Sequence, residues 1–107
     1  MRNKYGAKPT IVDNIRFASK KEARRWGELK LLVKAGVIRD LTVQPEFKIK
    51  INNFPVCSYF GDFQYWDVAT DKRIVEDVKS EITRKNPVYR LKYRLVYAVH
   101  DIMITEV

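Results

Sequence analysis

The sequence has a single cysteine, Cys57, and a single histidine, His100. That scarcity excludes an internal disulfide, a zinc finger and a His-rich metal site, and it leaves carboxylates and lysines as the groups for any chemistry. Glycine and proline number four each, too few for a collagen-like or disordered chain, and no internal repeat or low-complexity segment is visible. No apolar run is long enough to cross a bilayer, and the basic segment Met1 to Thr10 is followed by no apolar stretch. A soluble cytoplasmic protein with no membrane partner is therefore expected. What is present is an ordinary globular composition, 46% apolar and 32% charged over 107 residues. That length suits one domain spanning 1–107, carrying a basic arm over about 1–9.

The charge is +8, from 21 Lys and Arg against 13 Asp and Glu, which suits a polyanionic partner such as nucleic acid or an acidic membrane surface. Its distribution is uneven. Residues 1–39 hold 11 basic and 3 acidic side chains, residues 40–82 hold 5 and 8, and residues 83–107 hold 5 and 2. An acidic centre inside a basic rim is what a divalent cation held against phosphate requires. The plain alternative is a basic protein whose charges are merely solvated.

Thr10 to Phe17 suggests a short strand or hairpin around Asp13-Asn14. Ser19 to Ala35 reads as a helix capped by Ser19 and ended by Gly36, with Trp26, Leu29 and Val33 as its core stripe. Ile38 to Ile51 is β-rich and broken by Pro45. Asn52-Asn53 turns into a second strand from Val56 to Val68. Ile74 to Ser80 is expected as a third strand. Asn86-Pro87 opens a second helix to about Val99, with Val88, Leu91, Leu95 and Val99 facing the core. Ile102 to Val107 closes the chain as a strand. The expected order is helix, three strands, helix, strand.

The acids are placed unusually. Glu22 shares the apolar stripe of the first helix, so its carboxylate aims inward and needs a positive or hydrogen-bonding partner. Two roles compete: a group of an inner site, or the far half of a capping box with Ser19. Asp62 lies among aromatics, with Phe60 and Gln64 on its face by strand alternation. Val75, Asp77 and Lys79 share another strand face, with Glu76 and Val78 opposite. Pairing that sets Asp62 beside Asp77 would gather two carboxylates and an ammonium around a space suited to a hard divalent ion. The competing reading of Asp77 and Lys79 is a solvated cross-strand ladder.

Glu22 on a helix, then Asp62, then Asp77-Val78-Lys79 on a β-rich segment together resemble the PD-(D/E)XK nuclease superfamily, although Gly61 stands where that pattern has proline. The segments Asn3-Lys4-Tyr5-Gly6-Ala7-Lys8, Phe17-Ala18-Ser19-Lys20-Lys21-Glu22-Ala23, Gln44-Pro45 and Val75-Glu76-Asp77-Val78-Lys79 are similar to a small phage-borne family of that superfamily, described as Holliday-junction-resolvase-like. The resemblance covers nearly the whole chain. It implies an α/β (α+β) fold, a restriction-endonuclease-like αβββαβ core with a central mixed sheet flanked by helices. It also implies a Mg²⁺- or Mn²⁺-dependent endonuclease acting on duplex or branched DNA in a bacterial host's cytoplasm. Metal ligation carries onto Glu22, Asp62 and Asp77, the catalytic lysine onto Lys79, and a supporting role at the site's edge onto Gln44. Glu76 is the rival to Asp77 if the register differs by one residue.

Lys20, Lys21 and Arg24 on the first helix, and Arg84, Lys85, Arg90 and Lys92 on or before the second, are the candidate DNA contacts. On the second helix they interleave with Tyr89, Tyr93 and Tyr97. Lys92 interrupts the apolar stripe, either snorkelling to the surface or reaching a phosphate. A branched substrate would call for two active sites and hence a homodimer. Two other functions compete: a non-catalytic nucleic-acid-binding module of the same fold, and a phage protein that binds a host factor through its basic surface.

Overall fold

Among the described residues, Asp13-Asn14 and Asn52-Asn53 are the two places where consecutive residues take positive φ, with values of 52° and 61° and of 50° and 65°. Paired left-handed residues are what a tight two-residue hairpin needs, and Asp and Asn tolerate that conformation. The first pair joins β1 (Thr10–Val12) to β2 (Ile15–Phe17), and the second joins β4 (Glu46–Ile51) to β5 (Phe54–Phe60). The protein is described here from a computed structural model, which covers residues 9–79 and 81–107. The basic arm, apart from Pro9, and the segment Asn3 to Lys8 lie outside the described residues.

Between the hairpins runs α1 (Lys20–Lys34). Its Ser19 cap accepts from the Glu22 backbone N–H at 3.2 Å, and beyond its end Gly36 takes φ 75°. β3 (Ile38–Val43), β6 (Phe63–Asp67), β7 (Lys72–Asp77) and β8 (Ile104–Glu106) form a four-stranded sheet in that order. β3, β6 and β7 are antiparallel, and β8 joins β7 in parallel. The parallel step needs a crossover. It is made by the short α2 (Glu81–Arg84) and by α3 (Pro87–His100), whose Asn86 cap accepts from the Val88 and Tyr89 N–H groups. The result is an α+β fold with a central mixed sheet and a helical crossover, in the order α1, β3, β6, β7, α3, β8. No described helix is long and apolar enough to cross a membrane.

Strand alternation divides the interior in two. Phe17, Leu29, Ile38, Phe63 and Tyr65 form one cluster beneath α1. Phe47, Ile49, Tyr59, Val75, Tyr89, Val96, Ile102 and Ile104 form the other beneath α3.

Three expectations change. The strand expected over Val56 to Val68 is two strands, because the chain bends at Gly61-Asp62. Phe60 is consequently exposed and does not share an inward face with Asp62. The bend is matched at Gln44-Pro45, so β3–β4 and β5–β6 crease together, held by Gln44 N–H to Asp62 O at 2.9 Å and Gly61 N–H to Pro45 O at 3.0 Å.

In α1 the core stripe runs through Ala23, Trp26, Leu29 and Leu32, leaving Val33 exposed. In α3 the expected stripe is rolled outward by one residue. Val88 is 62% and Leu91 59% exposed, while Tyr89 and Val96 are buried with Tyr93 beside them. Hydropathy ranks tyrosine below leucine, but a ring with a hydroxyl that finds an acceptor buries well; Tyr89 donates to Glu106 Oε2 at 2.7 Å. Leu95 keeps its place against the core, whereas Leu91, Tyr97 and Met103 line an outward groove of about 700 Å³.

Candidate active site

The crease sets Asp62 where β6 begins. The register that pairs Phe63 with Glu76 continues backwards to bring Asp62 level with Asp77, and Asp62 N–H donates to Glu76 O at 3.0 Å. The Asp62 side chain then closes over the end of β7, where its Oδ2 accepts from Val78 N–H at 2.6 Å. Its other neighbours are acids. Glu22 and Asp77 both lie close enough to the Asp62 carboxyl to shift its titration, so the three carboxyls form one interacting group with Asp62 in the middle. Ser19 still caps α1, but it is the Glu22 backbone N–H that Ser19 receives, while the Glu22 side chain is directed to Asp62.

Asp77 is fully buried. Tyr59, from β5, donates its hydroxyl to Asp77 Oδ2. Lys79 Nζ forms an ion pair with Oδ1 at 3.1 Å, yet that oxygen is buried with no hydrogen-bond partner. The ammonium also lies 4.8 Å from the centroid of the Tyr89 ring, a cation–π contact that fixes it from the opposite side. Asp77 and Lys79 are anchored through the backbone by the last residue, with Val107 N–H to Asp77 O at 3.0 Å and Lys79 N–H to Val107 O at 3.3 Å.

Burial, and after it Glu22, pushes the Asp62 carboxyl up to about 7 against the opposing pull of Asp77 and the Val78 N–H. Burial, and after it Asp62, pushes Asp77 up to about 7 against the Tyr59 and Lys79 contacts. Acids in contact at low dielectric resist simultaneous ionisation, so the pair is held part-protonated until something positive compensates.

Glu76 faces the other way. It is buried against α1, where Arg25 grips it bidentately through Nε at 2.8 Å and Nη2 at 2.6 Å, and Tyr65 donates its hydroxyl to the same carboxylate. The register thus assigns Asp77 and not Glu76 to the group. Gln44 lies at φ 52° with an exposed side chain and touches the site through its backbone N–H alone.

Gly61 explains the missing proline. Its N–H is one of the two bonds across the crease, and proline has none to give. A Cβ there would stand 3.0 Å from Val75 Cγ1 and 3.4 Å from Pro45 Cγ. Gly61→Ala is expected to destabilise the fold by about 1–3 kcal/mol through overpacking, read as a lower denaturation midpoint with unchanged slope in urea melts.

Among the described residues, no three of His, Cys, Asp and Glu converge as a preformed metal cage. The donor chemistry nevertheless fits Mg²⁺ or Mn²⁺. Mg²⁺ usually takes one or two carboxylates and fills its shell with water and substrate phosphate. Asp62 and Asp77 supply those carboxylates, and Asp77 Oδ1, which accepts no hydrogen bond and has only the Lys79 ammonium against it, is a buried acceptor with room for a cation.

Basic concavities flank the group. One, of about 240 Å³, is lined by Lys21, Arg24, Arg25, Glu28, Val78 and Val107, and Lys21 Nζ donates to Lys79 O at 3.4 Å. The other, of about 280 Å³, is lined by Arg84, Tyr89, Arg90, Tyr93, Arg94 and Glu106. Lys20 is exposed on α1, and Lys92 is half-buried on α3. Lys85 lines a third concavity with Arg90 and Arg94.

Sequence reasoning missed Tyr59, Tyr65 and Arg25, the donors around the buried acids. The signal was available, since inward acids need donors and tyrosine hydroxyls supply them from within a core. No curated protein and no solved structure matches the chain. A family profile matches residues 2–105, and the chain accordingly belongs to the family described as a protein of unknown function, DUF1064.

Proposed function

We propose that this protein is a metal-dependent endonuclease of the PD-(D/E)XK type that hydrolyses DNA phosphodiester bonds. One observation carries the reading. Glu22 from α1, Asp62 from the crease, and Asp77 and Lys79 from the end of β7 meet in one cluster between two basic concavities. Asp62 and Asp77 would hold Mg²⁺ or Mn²⁺, which when bound polarises a phosphoryl oxygen and acidifies an attacking water.

The chain's own groups do the rest. Lys79, held between Asp77 and the Tyr89 ring, offers its ammonium to the charge that builds on the phosphate. Tyr59 fixes Asp77 from the core side, and Glu22 orients Asp62. Lys21 and Arg24 on one side, and the arginines of α3 on the other, grip the strand by its phosphates without reading its bases.

Full burial of Asp77 favours a second reading, in which the acids are structural and the protein only binds nucleic acid. Supercoiled plasmid and a synthetic four-way junction, incubated with and without Mg²⁺ or Mn²⁺, separate the two. Nicking or junction cutting that requires the metal is expected. Salt-sensitive binding with no cutting in either metal would overturn the enzyme assignment in favour of the binding module. Paired cuts across the junction would further require a homodimer, read from sedimentation of the active species.

A further inference from the structure

We infer that the concavity between α2, α3 and β8 is a phosphate-binding site that seats the phosphodiester next to the one being cut. The position of that neighbouring group rests on the nuclease reading; the recognition chemistry does not.

Arg84 ends α2, and Arg90 and Arg94 stand one helical turn apart on α3. All three line a concavity of about 280 Å³. None of the three guanidinium groups has a hydrogen-bond or ion-pair partner among the described residues. Arg25, by contrast, is engaged by Glu76, and Arg39 by Asp40. Three guanidinium groups that line one recess with no partner among the described residues create a demand for an anion, and their planar forks match the oxygens of phosphate.

One acid lies in the wall, Glu106, and its carboxylate already receives the Tyr89 hydroxyl at 2.7 Å. Three positive groups against one partly satisfied negative group leave the recess strongly cationic.

Tyr89 also fixes the location. Its hydroxyl side belongs to this recess, and its ring lies against Lys79 Nζ, which pairs with Asp77. A strand with one phosphate at Lys79 therefore continues naturally to the arginines with the adjacent one. The Tyr93 ring, packed edge-on to Tyr89 with centroids 6.3 Å apart, forms the apolar part of the wall.

The test uses a fluorescein-labelled single-stranded oligodeoxynucleotide and fluorescence anisotropy in EDTA, where no cutting can occur. The triple variant Arg84→Ala, Arg90→Ala, Arg94→Ala is compared with a control that loses the same charge elsewhere, Lys34→Ala, Lys48→Ala, Lys50→Ala, all exposed and none lining the recess. Thermal melts establish that both remain folded. The arginine variant is expected to bind at least about tenfold more weakly than the control, and its slope of log affinity against log salt should fall by about 2. Equal losses in the two variants would overturn the site.

Tight binding of inorganic phosphate that the oligonucleotide fails to displace would overturn the strand assignment. If the arginine variant alone loses binding while wild-type protein never cuts DNA, the phosphate site stands and the nuclease reading falls. If wild-type protein cuts and the two variants bind alike, the reverse holds.

Discussion

Asp77→Asn is expected to lower metal-dependent DNA cleavage by about a thousandfold or more, equivalent to about 4 kcal/mol of barrier, while binding to the same DNA in EDTA changes less than about threefold. Asparagine keeps the volume of a fully buried side chain and can still accept from Tyr59, so the packing beneath α3 is preserved. What disappears is the anionic oxygen that faces Lys79 and would face the metal. Lys79→Met should cost less, about a hundredfold, since it removes stabilisation of the reacting phosphate and leaves the acids in place. Single-turnover cleavage of plasmid measures both. An Asp77→Asn protein that cuts within tenfold of wild type would end the assignment.

The same carboxyls set the pH dependence. Asp62 and Asp77 are raised to about 7, so the competent ionised pair is scarce below that value and abundant above it. The rate should climb as pH rises through about 7. Because protons and a divalent ion compete for the same oxygens, more Mg²⁺ should move the climb to lower pH.

The second large effect concerns stability. Arg25→Ala is expected to destabilise the fold by about 3–5 kcal/mol, since it strands the Glu76 carboxylate, which is 1% exposed, in the core beneath α1. For a domain of this size that corresponds to a melting temperature lower by on the order of 15 °C. The pair with Arg25 is bidentate and supported by Tyr65, so its loss is not made good by a neighbour. Removing both charges, as Arg25→Met with Glu76→Gln, should recover most of the deficit. A fall of less than about 3 °C for Arg25→Ala in calorimetric melts would show the ion pair to be idle.

Both hairpins were legible as Asp13-Asn14 and Asn52-Asn53, because left-handed turns select those side chains. Both long helices were legible from Ser19 and from Asn86-Pro87. The inward direction of Glu22 and the shared face of Asp77 and Lys79 followed from periodicity alone. The crease did not. Gly61 is a local hint of a strand end or bulge, but the change of sheets there depends on Pro45 and Val75, distant in sequence, leaving no room for a Cβ. The roll of α3 was hidden for a related reason: a helical wheel weighs hydropathy but cannot know that Glu106, on another strand, waits to accept from Tyr89. Tertiary partners, not local preference, decided both.

The creased hairpin reaches away from the site with Asp62 at its root. Its inner part, Phe47 to Ile49 with Cys57 to Tyr59, rests on α3, whereas the tip from Ile51 to Val56 is exposed and carries Phe54 at 70% exposure. An arm of seven residues spans about 20 Å, and at its root two backbone bonds, Gln44 N–H to Asp62 O and Gly61 N–H to Pro45 O, tie it to the strands that carry the site. An exposed apolar tip and a cluster of acids thus occupy opposite ends of one hairpin.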